Sequence, residues 1–363
     1  MARREEPADD LSVHELIEGP TQVISAADLA AARAAGPGTD PGVEQTHDLS
    51  AYATDAGPGP DARVARTHDL SGYASGGPAG RDRVELPRMP ARGALYRRAL
   101  LGALPGVGPS RRPDGAPAVE FAVGGTTVDR AHLAEYDRVC GFRLSDTLPA
   151  TYPHVMGFPL ALRLMAAPGF PIPLTGVVHV GNRITVRRPV GADETLDFVA
   201  YAENLRPHER GRQIDVVLTG SVGGEEVWSG VSTYLGRERA PAGGGRRDRA
   251  ERPATPATTA HWSVSPRVGR DYARVSGDHN PIHTSRLGAR LFGFPRPIAH
   301  GMWSKARCLA ALDSRLPEAY TVEVAFKLPV PLPATVAFSA TAAWDFALHD
   351  ARTGRPHLAG TVR

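Results

Sequence analysis

Tyr272-Ala273-Arg274-Val275-Ser276-Gly277-Asp278-His279-Asn280-Pro281-Ile282-His283 is the stretch on which the reading of this chain turns. An earlier stretch echoes its first half: Tyr136-Asp137-Arg138-Val139-Cys140-Gly141-Phe142 lines up with Tyr272 to Asp278. Further on, Pro153-His154-Val155-Met156 lines up with Ala299-His300-Gly301-Met302. The order is the same, with about ten more residues between the two matches in the second copy. Two ordered matches imply two copies of one unit. At the same offset, the first copy has Phe142 where the second has Asp278, and Thr147 where the second has His283. A carboxylate and an imidazole in one copy only imply an active half and a supporting half.

Working outward, both copies read as one apolar helix followed by several antiparallel strands, an α+β pattern. In the first, Val128 to Val139 and Val155 to Ala167 read as helices. Strands follow at 177–190, 196–203, 212–221 and 226–235, with Gly223-Gly224 as a hairpin turn. In the second, Trp262 to Val264 is a strand, and Val268 to Ser276 and Ile298 to Leu312 are helices. Strands then run over 320–328, 335–343, 346–350 and 358–362. The simplest packing wraps a curved sheet around a buried helix in each copy.

The 363 residues include 39 Gly and 33 Pro, and this excess is local. Residues 1–88 read as a disordered acidic tail. They contain a near-duplicate, Thr46 to Ala53 and Thr67 to Ala74, too few copies for a solenoid. Residues 236–257 read as a linker. That leaves folded bodies at 89–235 and 258–363, and a chain starting at Met89 is expected to keep its activity and melting behaviour. Eight arginines face fifteen acidic residues in 1–90, so the net charge of +3 comes from an Arg-rich body, which suits an anionic partner. No Cys/His finger, basic heptad or RNP-like run appears, so nucleic acid is not expected. Two Cys exclude a disulfide framework and a four-Cys zinc site. Without a long apolar run or an apolar leader after Met1, a cytoplasmic location with no membrane association is expected.

Pro281 interrupts a helix through the Asp278 loop, so His279 and His283 need not share a helical face, which argues against a zinc pair. A carboxylate and an imidazole sharing one water form an acid/base device, because His titrates near neutrality and a neighbouring carboxylate tunes it. The structural alternative is an Asp capping a turn and a His bonded to backbone. Gly106-Val107-Gly108 followed by Pro109 is no dinucleotide fingerprint, and no Gly-x-Ser-x-Gly elbow appears.

The run from Tyr272 to His283, with Gly293-Phe294 and Ile298-Ala299-His300-Gly301-Met302, resembles the MaoC-like (R)-specific enoyl-thioester hydratases. The first body is similar to the N-terminal half of actinobacterial 3-hydroxyacyl-thioester dehydratases through Leu148 to Val155 and Gly176 to Asn182. The resemblance implies a double hot-dog fold over about residues 89–363, with the first copy degenerate. It implies reversible hydration of trans-2-enoyl thioesters, on CoA or acyl carrier protein, in fatty-acid metabolism and without cofactor or metal. Asp278 and His283 would be the catalytic pair, His283 moving the proton while Asp278 shares the water and holds the imidazole tautomer. Gly301, at the start of its helix, would donate its N–H to the thioester oxyanion, or else allow close packing. Asn280 and Ser276 would shape the loop, and His154 and His300, recurring in both copies, would be structural. Met156, Phe158, Leu160, Leu162 and Leu164 would line an acyl tunnel or pack the core. A homodimer is compatible with this reading. The competing readings are a hot-dog acyl thioesterase and an inactive acyl-thioester-binding subunit.

Overall fold

Two helices stop in the same way. In α1 (Arg130–Cys140), Gly141 takes a left-handed conformation and its N–H closes on the Asp137 carbonyl. In α3 (Val268–Ser276), Gly277 does the same onto Ala273. A left-handed residue at this place ends a helix at low cost only when it lacks a Cβ. The repeated Gly of the sequence match is therefore a repeated helix stop. The computed structural model describes residues 80–91, 113–167, 169–173, 177–237 and 257–363.

Eleven strands form one sheet. Strands β1 (Asp82–Glu85), β2 (Val119–Thr126), β3 (Val177–Val186), β4 (Leu196–His208), β5 (Gly211–Val222) and β6 (Glu225–Arg237) belong to the first half. The second half supplies β7 (Ala260–Val264), β8 (Tyr320–Phe326), β9 (Ala334–Ala340), β10 (Asp345–Asp350) and β11 (Pro356–Val362). The spatial order is β1-β2-β4-β5-β6-β3-β8-β11-β10-β9-β7. Leaving β1 aside, each half orders its strands first, third, fourth, fifth, second, and the two second strands, β3 and β8, pair antiparallel at the centre. The expected hairpin joins β5 to β6, with Gly223 and Gly224 both at positive φ, as a tight two-residue turn requires.

The two longest apolar helices are α2 (Tyr152–Met165) and α6 (Gly301–Ala310). A single hydrophobic cluster runs through both halves, from Phe121 and Leu160 to Trp303 and Leu358. Lys305 of α6 is fully buried at the β3–β8 seam. Its Nζ donates to Asn182 Oδ1 (2.6 Å), the Asn182 carbonyl (3.3 Å) and the Val322 carbonyl (3.2 Å). Three acceptors match the three donors of an ammonium group. Burial pushes this amine well below its ordinary pKa, with Glu323 opposing.

Several boundaries differ from the sequence reading. Strand β1 lies inside the stretch read as tail and pairs parallel with β2, itself a strand that the sequence reading lacked. Residues 1–79, including the near-duplicate, lie outside the described residues. Strand β6 runs to Arg237, into the stretch read as linker, most of which lies outside the described residues. The last long helix begins at Gly301 and not at Ile298, because Ala299 N–H bonds to the Val330 carbonyl and His300 is an extended N-cap.

The correspondence between copies also shifts. Isolated bridges join Thr147 to Gly191 and Ile298 to Pro331. Around them, Leu148 N–H bonds to Val190 O as Ala299 N–H bonds to Val330 O, both at 2.9 Å. Thr147 is thus the counterpart of Ile298 and not of His283. One copy passes directly from Gly141 to Thr147, whereas the other takes a longer excursion from Gly277 to Ile298 that holds α4 (Pro281–Thr284) and α5 (Arg286–Leu291). Asp278 and His283 sit on this extra segment. Likewise His154 is the third residue of α2, whereas His300 lies outside its helix as the N-cap, so the two do not play one repeated part.

Candidate active site

Gly277 ends α3 and turns the chain so that Asp278 leads the excursion. Local bonds fix it there. Asp278 N–H donates to Ser276 Oγ (3.2 Å), and Asn280 N–H donates to Asp278 Oδ1 (3.2 Å). Asn280 Oδ1 accepts from Ile282 N–H (3.3 Å) as the N-cap of α4, whose first residue is Pro281. Proline suits this position because the first turn of a helix has no use for its N–H. Ser276 and Asn280 thus both touch the loop backbone, and α4 places His283 on a helical turn that His279 does not join.

His283 is held by backbone. Its Nδ1 lies 2.8 Å from the Ile298 carbonyl. A carbonyl can only accept, so Nδ1 carries the hydrogen and Nε2 keeps its lone pair. The tautomer is therefore set by Ile298 and not, as expected from the sequence, by Asp278. Burial lowers the pKa of His283 below its ordinary value, while the Asp278 charge and the Ile298 carbonyl oppose the shift. Near neutral pH the ring is an uncharged base.

His300 clamps the same loop. Its Nε2 donates to the Asp278 carbonyl (2.9 Å) and lies 3.8 Å from Asp278 Oδ2. The ring stacks on His283 with centroids 3.6 Å apart, and its other face meets Tyr272 at 4.9 Å. Burial first, then the His283 charge, pushes its pKa down to about 3, so it stays neutral. Nitrogen and carboxylate atoms of Asp278, His283 and His300 all lie within 4.8 Å of one another. As a metal site the trio fits poorly. Two stacked rings, their planes 26° apart, hold their in-plane lone pairs side by side and do not aim them at one point.

Gly301 opens α6, and no side chain caps that helix, so its first N–H groups are available. A Cβ there would come within 3.1 Å of the Phe326 ring, so close packing also demands glycine. Phe326 in turn meets His179 of β3 (4.9 Å), which stacks on Tyr234 of β6 (4.7 Å). The Asp278 charge acts on His154, His179 and Tyr234 of the first half. Burial is the main cause that pushes His154 to about 4 and His179 to about 3, and it raises Tyr234. His179 and Tyr234 escaped the sequence reading. The available signal was a lone His interrupting the apolar run Val177-Val178-His179-Val180. Of the tunnel candidates, Leu160, Leu162 and Leu164 are buried in the core, while Met156 and Phe158 are partly buried against it.

Residues 247–346 match the family model described as MaoC like domain. The chain is 38% identical over 270 residues to 3-hydroxyacyl-thioester dehydratase X of Mycobacterium tuberculosis (strain ATCC 25618 / H37Rv), covering 73% of this chain and 95% of that protein. Its fold is similar to the crystal structure of HtdX of Mycobacterium tuberculosis, with a TM-score of 0.60 and 37% identity over 67% of this chain and 99% of that one. A MaoC-like dehydratase from Phytophthora capsici shares the fold at 18% identity, with a TM-score of 0.55 and coverage of 67% and 94%. No helix among the described residues is long and apolar enough to cross a membrane. The repeated strand order, the long apolar helices and the likeness over nearly the whole of a dehydratase lead to one conclusion: the chain belongs to the MaoC-like dehydratases, hydro-lyases built on the hot-dog fold.

Proposed function

We propose that the chain interconverts trans-2-enoyl and (R)-3-hydroxyacyl thioesters, with Asp278 and His283 as the acid/base pair. The observation that carries this is the meeting of a partly exposed carboxylate and a neutral imidazole whose Nε2 lone pair is left open by the bond from Nδ1 to Ile298. In the hydration direction, His283 Nε2 takes a proton from water as the oxygen adds to C3. The π electrons move toward the thioester carbonyl oxygen, and the Gly301 N–H at the start of α6 meets the charge that builds there. The imidazolium then returns its proton to Cα, so the elements of water add to one face. Asp278 accepts a hydrogen bond from the water's second O–H, which stays on oxygen as the new C3 hydroxyl, and steadies the transient imidazolium. Dehydration is the reverse. The second half carries the chemistry, and the first half walls the acyl chamber. The named relative, a 3-hydroxyacyl-thioester dehydratase, supports this reading.

Loss of enoyl absorbance with crotonyl- and decenoyl-CoA tests it. Asp278→Asn and His283→Ala are expected to fold and to lose about 10²- to 10⁴-fold in kcat. Because the His283 pKa is lowered, kcat/KM is expected to hold its neutral-pH level to below the ordinary histidine value of 6.5 before falling. Undiminished turnover in the folded variants, or release of free thiol in place of hydration, would overturn the assignment.

A further inference from the structure

The excursion that brings in Asp278 and His283 also brings in α5, and α5 has two unlike faces. Its inner face is flush with α4: a Cβ on Gly288 would meet Pro281 at 2.5 Å, and Ala289 is fully buried with Phe294, Ile298 and Ile282 in a small core of its own. Its outer face is exposed and apolar. Five large hydrophobic residues are exposed among the described residues, and three of them, Leu287, Leu291 and Phe292, lie here. Arg286 and Arg290 are exposed one turn apart beside them, and Arg296 lies in the return segment. Among the described residues, none of these three guanidinium groups has a carboxylate partner, and α5 itself contains no acid.

The segment is tied to the chemistry at its base. Ile298 N–H bonds to the Ile282 carbonyl (3.1 Å), and the Ile298 carbonyl holds His283 Nδ1. Whatever settles on α5 therefore settles beside the imidazole. An apolar stripe rimmed by cations without a carboxylate partner among the described residues is the composition of a surface that meets an acidic protein. A phosphorylated nucleotide would use the guanidinium groups but would leave Leu287, Leu291 and Phe292 uncovered.

We propose that the outer face of α5, with Phe292 and Arg296, is the docking surface for an acidic acyl carrier protein that presents the thioester on its phosphopantetheine arm. The proposal rests on the hydratase reading above and names the form in which the substrate arrives. Arg286 and Arg290 steer the carrier by charge, and Leu287, Leu291 and Phe292 supply the apolar centre of the contact.

The test uses the full chain and three crotonyl thioesters: crotonyl-pantetheine, which is uncharged, crotonyl-CoA, and crotonyl-loaded acidic type II acyl carrier protein. The double variant Arg286→Glu/Arg290→Glu and the single variant Leu291→Ser are expected to raise KM for the carrier-protein substrate about tenfold or more while kcat holds. The wild-type KM for that substrate is expected to rise with salt, and the pantetheine kcat/KM to stay within about twofold in every variant. Equal losses on all three substrates would overturn the proposal by showing that α5 only shapes the catalytic loop. Loss on crotonyl-CoA alone would overturn it in favour of a phosphate clamp, and so would no change at all. A wild-type chain inactive on crotonyl-pantetheine and on both other thioesters would remove the hydratase reading itself, which separates the two failures.

Discussion

His300 touches both members of the pair through different parts of its ring, an edge on the Asp278 carbonyl and a face on His283. On the proposed mechanism it is a positioning residue, and its loss should show in kcat more than in KM. His300→Phe keeps a ring under His283 but leaves the Asp278 carbonyl without its donor. A drop of about 10- to 100-fold in kcat with KM little changed is expected, since small misplacements of reacting groups cost rates of that order. His300→Gln, which keeps a donor, should recover part of it; equal, wild-type kcat in both variants would refute the role. At this scale the sequence could mark Asp278 and His283 as candidates, because their spacing around Asn280-Pro281 is local chemistry. It could not show the Ile298 carbonyl or the His300 stack, which exist only after the excursion folds back. Nor could it show that Thr147 is no counterpart of His283, since hydrogen-bond register between distant segments is invisible to a linear alignment.

Strands β3 to β11 were legible as elements because their apolar runs end at Gly, Pro and charged turns. Strands β1 and β2 were not. Asp82-Arg83-Val84-Glu85 is exposed throughout and has no apolar alternation, so only its pairing with β2 defines it. That pairing bears on a chain begun at Met89. Such a chain loses β1, the Arg81–Glu203 ion pair (3.0 Å) and the Arg81 guanidinium stacked 3.9 Å over Tyr201. Relative to a chain starting at Gly80, a cost of about 2 kcal/mol is expected, seen as a midpoint several degrees lower. Equal melting of the two shortened chains would show that β1 adds nothing. Catalytic rates should survive in both, because none of the lost contacts reaches the Asp278 loop.

The two halves also meet through their helices. Trp303 of α6 donates to the Val139 carbonyl of α1 (3.1 Å), and His132 of α1 bonds the Val275 carbonyl of α3 (2.9 Å). Within α1, Asp137 is fully buried and neither carboxylate oxygen finds a hydrogen-bond partner among the described residues. Burial, then the charge of Asp313, raises its pKa from 3.8 to about 7. The unfolded chain gives up this proton near pH 4, but the folded chain keeps it until near pH 7. Stability from this group therefore falls as pH rises between those values and is flat above them. Asp137→Asn should raise the melting midpoint at pH 8 by several degrees and by much less near pH 4; a pH-independent difference would show that the carboxyl does not hold its proton.

The matching strand orders, joined at β3 and β8, have a consequence for how such a molecule changes. Two separate copies assembled about a two-fold axis would carry every substitution twice, once on each side of the seam. With both halves on one polypeptide that rule is lifted. A residue can be gained on one side without appearing on the other. The loop from Gly277 to Ile298 is long while its opposite number from Gly141 to Thr147 is short, and Asn182 of one half accepts a lysine that the other half contributes. Inheritance in a single reading frame lets the two halves of one sheet drift apart in chemistry while their strand orders stay alike.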